Sequence, residues 1–132
     1  MNLTYKAATY ERHACANDLS ADTQARVCDE AAKREGLEIV ERFQDHGASG
    51  LNCERAGLKA LQDAARDGRF SVLIVSDLAR LSRSPSDLLV IVQELQQQGV
   101  RVFAVHDGFD SGKEHRIFRY LKCTKFVAEP RT

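Results

Sequence analysis

A mainly parallel four-stranded α/β sheet flanked by helices is the fold the sequence predicts, on three observations. Apolar runs of strand length alternate with segments of helical spacing, in the order β-α-β-α-β-α-β. Each crossover is long enough to join parallel strands. One run, Val72-Leu73-Ile74-Val75, is apolar throughout and mostly β-branched, as a strand covered on both faces must be.

The first strand is expected over residues 4–10 (TYKAATY), followed by a loop from His13 to Asp18. Ser20 can cap a helix whose inner positions are Gln24, Val27, Cys28, Ala31 and Ala32, and Gly36 is placed as its stop. Residues 37–43 (LEIVERF) predict the second strand, and a polar loop with Gly47 and Gly50 runs from Asp45 to Glu54. A second helix starts near Ala56, with Leu58, Leu61, Ala64 and Ala65 as its apolar stripe and Gly68 beyond its end. The third strand is Ser71 to Ser76, and Asp77 to Arg83 leaves its carboxyl end. Ser84-Pro85 opens the third helix, Ser at the cap and Pro at the first helical position; Leu88, Leu89, Ile91, Val92 and Leu95 form its buried face and Gly99 stops it. Residues 100–105 (VRVFAV) predict the fourth strand.

A chain of 132 residues with 43% hydrophobic and 29% charged residues suits one core and excludes a disordered chain. Residues 1–110 are taken as that domain and 111–132 as a short basic tail. The formal net charge is zero, which argues against coating nucleic acid by bulk electrostatics and requires any positive site to be local. No apolar run approaches 18 residues and the N-terminus has no secretion-type apolar stretch, so a cytoplasmic chain with no membrane span is expected. Cys15, Cys28, Cys53 and Cys123 are far apart with no close pairs, so reduced thiols and no metal are expected.

In an open α/β sheet the site lies beyond the carboxyl ends of the strands. That edge gathers Arg12, the loop from Asp45 to Arg55, and the segment from Asp77 to Arg83. Taken singly, Arg12, Arg55, Arg80 and Arg83 are ordinary surface cations. Together they form a set of planar donor forks suited to phosphate oxygens and to charge developing on a phosphoryl group.

The motifs around these arginines are recognisable. Tyr10-Glu11-Arg12, followed by Ser20 and Gln24, resembles the opening of the serine recombinases of the resolvase/invertase type, which reads Tyr-x-Arg-x-Ser. Asp45 through Ser49-Gly50, then Arg55-Ala56-Gly57-Leu58, resembles that family's Asp-x-x-x-Ser-Gly loop and Arg-x-Gly-Leu. Leu78-Ala79-Arg80-Leu81-Ser82-Arg83 resembles its Asp-Arg-Leu-Ser-Arg motif. The resemblance covers about residues 4–110 with the motifs in order.

The resemblance implies a resolvase-like catalytic domain for site-specific DNA recombination, found on mobile elements and acting in resolution, inversion or integration. A serine attacks the scissile phosphate, arginines neutralise it, four subunits exchange strands, and no metal or nucleotide cofactor takes part. Carried over by position, Arg12, Arg55, Arg80 and Arg83 are catalytic and DNA-binding residues, with Gln24 and Ser49 supporting them. Two positions depart from the pattern. Ala14 stands where the nucleophilic serine belongs, and Ala79 where the acid before Arg80 belongs. Covalent catalysis by that route needs a nucleophile that alanine lacks. Cys15 is adjacent but is expected to face away, since neighbours on an extended segment alternate. His13 is taken as a loop histidine, and Ser49, Ser82 and Ser84 are more ordinarily turn or cap residues. The tail, with Lys113, Arg116, Arg119, Lys122 and Lys125, stands in place of the family's long dimer and DNA helix as a truncated or degenerate form. The expected function is thus an impaired recombinase domain that partners DNA and assembles with itself or with an intact recombinase. The alternative is a non-catalytic module that binds DNA phosphate or a recombinase. An unrelated nucleotide-binding enzyme is disfavoured, because no Gly-rich phosphate loop is present.

Overall fold

The computed structural model describes residues 5–13, 21–46 and 56–111. The chain orders as β1 (Tyr5–His13), α1 (Ala21–Glu35), β2 (Leu37–His46), α2 (Ala56–Arg66), β3 (Val72–Val75), a 3-10 turn (Leu78–Arg80), α3 (Pro85–Gln97), β4 (Arg101–Ala104) and β5 (Phe109–Asp110). The strands form one sheet in the order β2-β1-β3-β4-β5. The first four are parallel and β5 is antiparallel to β4.

Among the described residues the sheet thus holds the four parallel strands expected and a short fifth, antiparallel one. Phe109-Asp110 is too short to carry a period of two. It is held by pairing with Phe103 and Ala104, by the Asp110 carboxylate accepting two bonds from the Arg101 guanidinium at 2.8 Å each, and by the Val102 N–H donating to Ser111 Oγ at 2.8 Å. Two other boundaries move. β1 continues past residue 10 through Glu11 and Arg12 to His13, the residue at which the sequence placed the start of a loop, and β2 continues through Asp45 and His46. The cause is mutual: Glu11, Arg12 and His13 pair with Gln44, Asp45 and His46 across the sheet.

The helices begin and end for local reasons. Ser84 Oγ accepts the Asp87 N–H, and Pro85 occupies the first turn of α3, where its missing N–H is not needed. Gly36 and Gly68 follow α1 and α2 at φ 71° and 73°, a left-handed conformation that costs glycine nothing. Alternation along the strands sends side chains to two cores. Leu73, Val75, Val102 and Ala104 pack with the inner stripes of α2 (Leu58, Leu61, Ala64, Ala65) and α3 (Leu88, Ile91, Val92, Leu95). Ala7, Val72 and Ile74 pack against Cys28, Ala31 and Ala32 of α1. Small residues on that side bring α1 close to the sheet.

The order 2-1-3-4 has a topological consequence. The chain leaves β1 in one direction, through α1 to β2, and returns through α2 to β3 on the other side of β1. The crevice where strand order reverses, at the carboxyl ends of β1 and β3, is where open sheets of this order bind ligands. The pairing of β1 with β3 ends at Thr9 and Ile74, while β1 runs on beside β2 to His13. The two carboxyl ends diverge there, and side chains bridge the space between them.

Candidate active site

Arg12 and Arg80 bridge that divergence. Arg12 donates from Nε to the Arg80 carbonyl at 3.2 Å and from Nη2 to the Ala79 carbonyl at 3.1 Å. Arg80 donates back from Nη1 to the Arg12 carbonyl at 2.8 Å. Each arginine thus holds the other's main chain. Arg80 is buried and Arg12 half-buried. Carbonyl acceptors add no counter-charge of their own while they fix the plane of a guanidinium, which is one way a site for an anion is pre-organised.

Gln24, fully buried on the first turns of α1, makes a two-way amide clamp on the same residue. It accepts the Arg12 N–H at Oε1 and donates from Nε2 to the Arg12 carbonyl, both at 3.0 Å. The backbone of Arg12 is thereby satisfied where no third strand can pair with it. The helical position of Gln24 in the sequence signalled a supporting role, and the contact gives that role a physical form.

The 3-10 turn that carries Arg80 is fastened at its start by two acids that the sequence pattern did not single out. Asp107, in the turn after β4, accepts the Leu78 N–H at 2.6 Å. Burial pushes the Asp107 carboxyl above its ordinary range, and the nearby charge of Asp77 acts in the same direction against the Leu78 bond. Asp77 accepts from Arg80 Nε at 3.1 Å, and their side chains are 20% and 7% exposed. The three-residue spacing of Asp77 and Arg80 was the available signal, but only in a helical turn does that spacing produce contact.

Asp45 is a third acid with an unanticipated place. At the end of β2 its carboxylate accepts the Gly57 N–H at 2.7 Å, the Leu58 N–H at 2.9 Å and the Tyr10 hydroxyl at 2.7 Å. It caps α2 from a neighbouring strand and ties that helix end to β1.

Of the residues the sequence nominated, the structure brings together Arg12, Gln24, Ala79 and Arg80. Ala79 contributes its carbonyl, and its half-buried side chain has no group to offer. Arg83 follows on the turn before α3, with an exposed side chain. Ala14, Ser49 and Arg55 lie outside the described residues, as do Cys15, Cys53 and Cys123. Cys28 lies on the α1 side of the sheet, against the Ile74 carbonyl at 3.6 Å, where burial pushes its thiol up to about 12. Among the described residues no helix is long and apolar enough to cross a membrane.

Comparison with known proteins identifies the family and the fold. The family described as "Resolvase, N terminal domain" matches residues 7–129. A putative DNA recombinase of Bacillus subtilis (strain 168) is 31% identical over 99 residues, covering 75% of this chain and 19% of that protein. The Tn3 transposon resolvase of Escherichia coli is 34% identical over 92 residues, covering 70% of this chain and 46% of that protein. The chain thus spans less than half the length of these two curated relatives. Among solved structures, a resolvase family site-specific recombinase from Streptococcus pneumoniae superposes with a TM-score of 0.78 at 26% identity, covering 91% of this chain and 85% of that one. The N-terminal catalytic domain of TP901-1 integrase shares the fold, with a TM-score of 0.77 at 24% identity and 89% of each chain covered. With the family's match spanning residues 7–129 and the fold shared with a solved member, the protein belongs to the resolvase family of serine recombinases, through that family's N-terminal catalytic domain.

Proposed function

We propose that this chain is a recombinase catalytic domain that retains the arginine site for the DNA phosphate and lacks the group that attacks it. The interlock of Arg12 and Arg80 at the sheet's switch point carries this reading, because it presents two cations where strand order reverses. Arg83, three residues on, and Arg55, immediately before α2 in sequence, complete the set. Gln24 positions Arg12, and Ser49 supports the site by its place in the family's motif.

Phosphoryl transfer to protein requires a nucleophilic side chain at the phosphorus opposite the leaving 3′ oxygen, a hydroxyl in the serine recombinases. The position for that hydroxyl is Ala14. The chain therefore binds DNA backbone without cutting it, as an assembly with itself or beside an intact recombinase. The basic segment 111–132 adds contacts to a subunit or to phosphates. The alternative, a module that binds DNA phosphate or a recombinase with no catalytic part, is favoured by the same alanine.

A denaturing gel of the chain incubated with supercoiled DNA tests the reading. No protein–DNA adduct is expected from the unaltered chain. Ala14→Ser is expected to produce one when mixed with an intact family member that supplies the remaining subunits. An adduct from the unaltered chain, abolished by Cys15→Ser, would place the nucleophile at Cys15 and overturn the proposal.

A further inference from the structure

Arg80 is a cation with only 7% of its side chain exposed, and such a group needs both a counter-charge and a fixed orientation. The carboxylate in contact with it comes from Asp77 rather than from position 79, where alanine stands. The turn explains why. In a 3-10 turn, residues three apart eclipse one another, whereas the immediate neighbour of Arg80 projects about a third of a turn away. Asp77 ends the extended run of β3 at φ −156° and ψ 163°, and its own carbonyl accepts the Arg80 N–H at 3.1 Å, which closes the turn. Its side chain is steadied in turn, since Ser76 Oγ donates to Asp77 Oδ2 at 3.4 Å. The second acid at this turn, Asp107, is committed to the Leu78 N–H. Asp77 on Nε and the Arg12 carbonyl on Nη1 engage two different nitrogens of the guanidinium, and two such contacts fix both its plane and its rotation.

We propose that Asp77 is the positioning residue of Arg80, holding its guanidinium in the orientation that receives a DNA phosphate. The proposal rests on the reading of the arginine cluster as a phosphate site. It assigns to Asp77 the task of orienting the arginine, which the neighbouring position cannot perform as alanine. A purely structural ion pair would stabilise the turn and leave phosphate binding unchanged once the chain is folded. A carboxylate that merely occupied the anion's place would weaken binding.

The test is a double-mutant cycle on the full chain, using Asp77→Asn, Arg80→Ala and the combination. The probe is a labelled 30-base-pair DNA duplex of arbitrary sequence, titrated at several salt concentrations, with thermal unfolding recorded for every variant. Arg80→Ala is expected to weaken binding about tenfold, as for loss of one charged hydrogen-bonded contact, and to lower the salt slope by about 0.9. Asp77→Asn, which keeps every arginine, is expected to reproduce both changes, and the combined variant to bind no worse than Arg80→Ala alone. Ala79→Asp placed on Asp77→Asn is expected to leave the affinity low, since a carboxylate at position 79 projects about a third of a turn away from the Arg80 guanidinium. If Asp77→Asn does not fold, Asp77→Glu keeps the charge and displaces it by one methylene; it is expected to weaken binding part-way with the fold intact.

Two results would overturn the proposal alone: a folded Asp77→Asn or Asp77→Glu that binds like the parent or more tightly, or losses from Asp77→Asn and Arg80→Ala that simply add. A parent chain whose duplex binding is indifferent to both salt and Arg80→Ala would instead remove the phosphate reading, and the proposal with it.

Discussion

Glu11 occupies the x of the Tyr-x-Arg motif and is 2% exposed, on the α1 side of β1. Among the described residues its Oε2 has no hydrogen-bond partner. Burial pushes this carboxyl above its ordinary range, Asp29 adds to the shift, and the Thr9 hydroxyl and the Arg42 charge oppose it without cancelling it. A raised folded-state value means the native chain holds this proton more tightly than the unfolded chain does. Stability should therefore fall as pH rises from about 4.5, the ordinary value, through the raised one, and level off above it. Glu11→Gln removes that term. It is expected to gain about 1–3 kcal/mol at pH 7.5, the cost of a buried group left unpaired, and to match the parent near pH 4. Thermal unfolding from pH 4 to 8 measures the difference; a part of the slope should persist in the variant, since Asp107 is shifted in the same direction. Gly57 is constrained by space instead. A Cβ there would meet the Gln44 carbonyl group, with its carbon at 2.8 Å, and Asp45 Oδ1 at 3.0 Å, and the first of these is backbone that cannot swing away. Gly57→Ala should cost about 1–3 kcal/mol as overpacking, read from a denaturant midpoint with unchanged slope.

At the scale of elements, the site depends on two helix starts being held from outside their own sequence. The first turn of α2 has no acid of its own, and Asp45 reaches it from β2. The 3-10 turn has no side-chain cap at Asp77, and Asp107 supplies the acceptor from beyond β4. In both cases a carboxylate meets the N–H groups that a helix start leaves open, where the backbone dipole favours negative charge. Asp45→Ala should cost about 1–2 kcal/mol, as loss of a cap does, and also removes the carboxylate that accepts the Tyr10 hydroxyl. Amide exchange should locate the loss in residues 56–60, at the start of α2. Uniform loss of protection across the sheet would mean that Asp45 serves the whole fold rather than that helix end. Arg55 directly precedes this helix, so a loosened α2 start is also expected to weaken duplex binding without any arginine being changed.

Over the whole sequence formal charge is balanced to zero, so the proposed phosphate site would be a local concentration of cations on a neutral body. Such a chain has no large field to draw DNA in from a distance, and its affinity rests on the few cations at the strand ends. Phosphate contacts carry no sequence information. Duplexes of unrelated sequence should therefore bind within about twofold of one another, with affinity falling steeply as salt rises. A filter or anisotropy titration with several duplexes checks this, and a strong preference for one of them would mean that base edges are being read.

What is local in this protein was legible from its residues. The alternation of strands and helices, the stops at Gly36 and Gly68, the Ser84-Pro85 start of α3 and the buried stripes of α2 and α3 all follow from periodicity and capping within a few residues. The motifs also placed Arg12, Gln24 and Arg80 near one site. Only the tertiary structure decided how they meet. Arg12 and Arg80 are separated by 68 positions, Asp45 and Tyr10 by 35, and Leu78 and Asp107 by 29. No local pattern encodes those contacts, because they arise from strand order and register. The same is true of the extension of β1 and β2 past their apolar runs and of β5, whose two residues are strand only because β4 lies beside them. Hydrophobic periodicity reports which face of an element is buried. Which element it meets is fixed by the pairing of backbones far apart in sequence, and the site lies where that pairing ends.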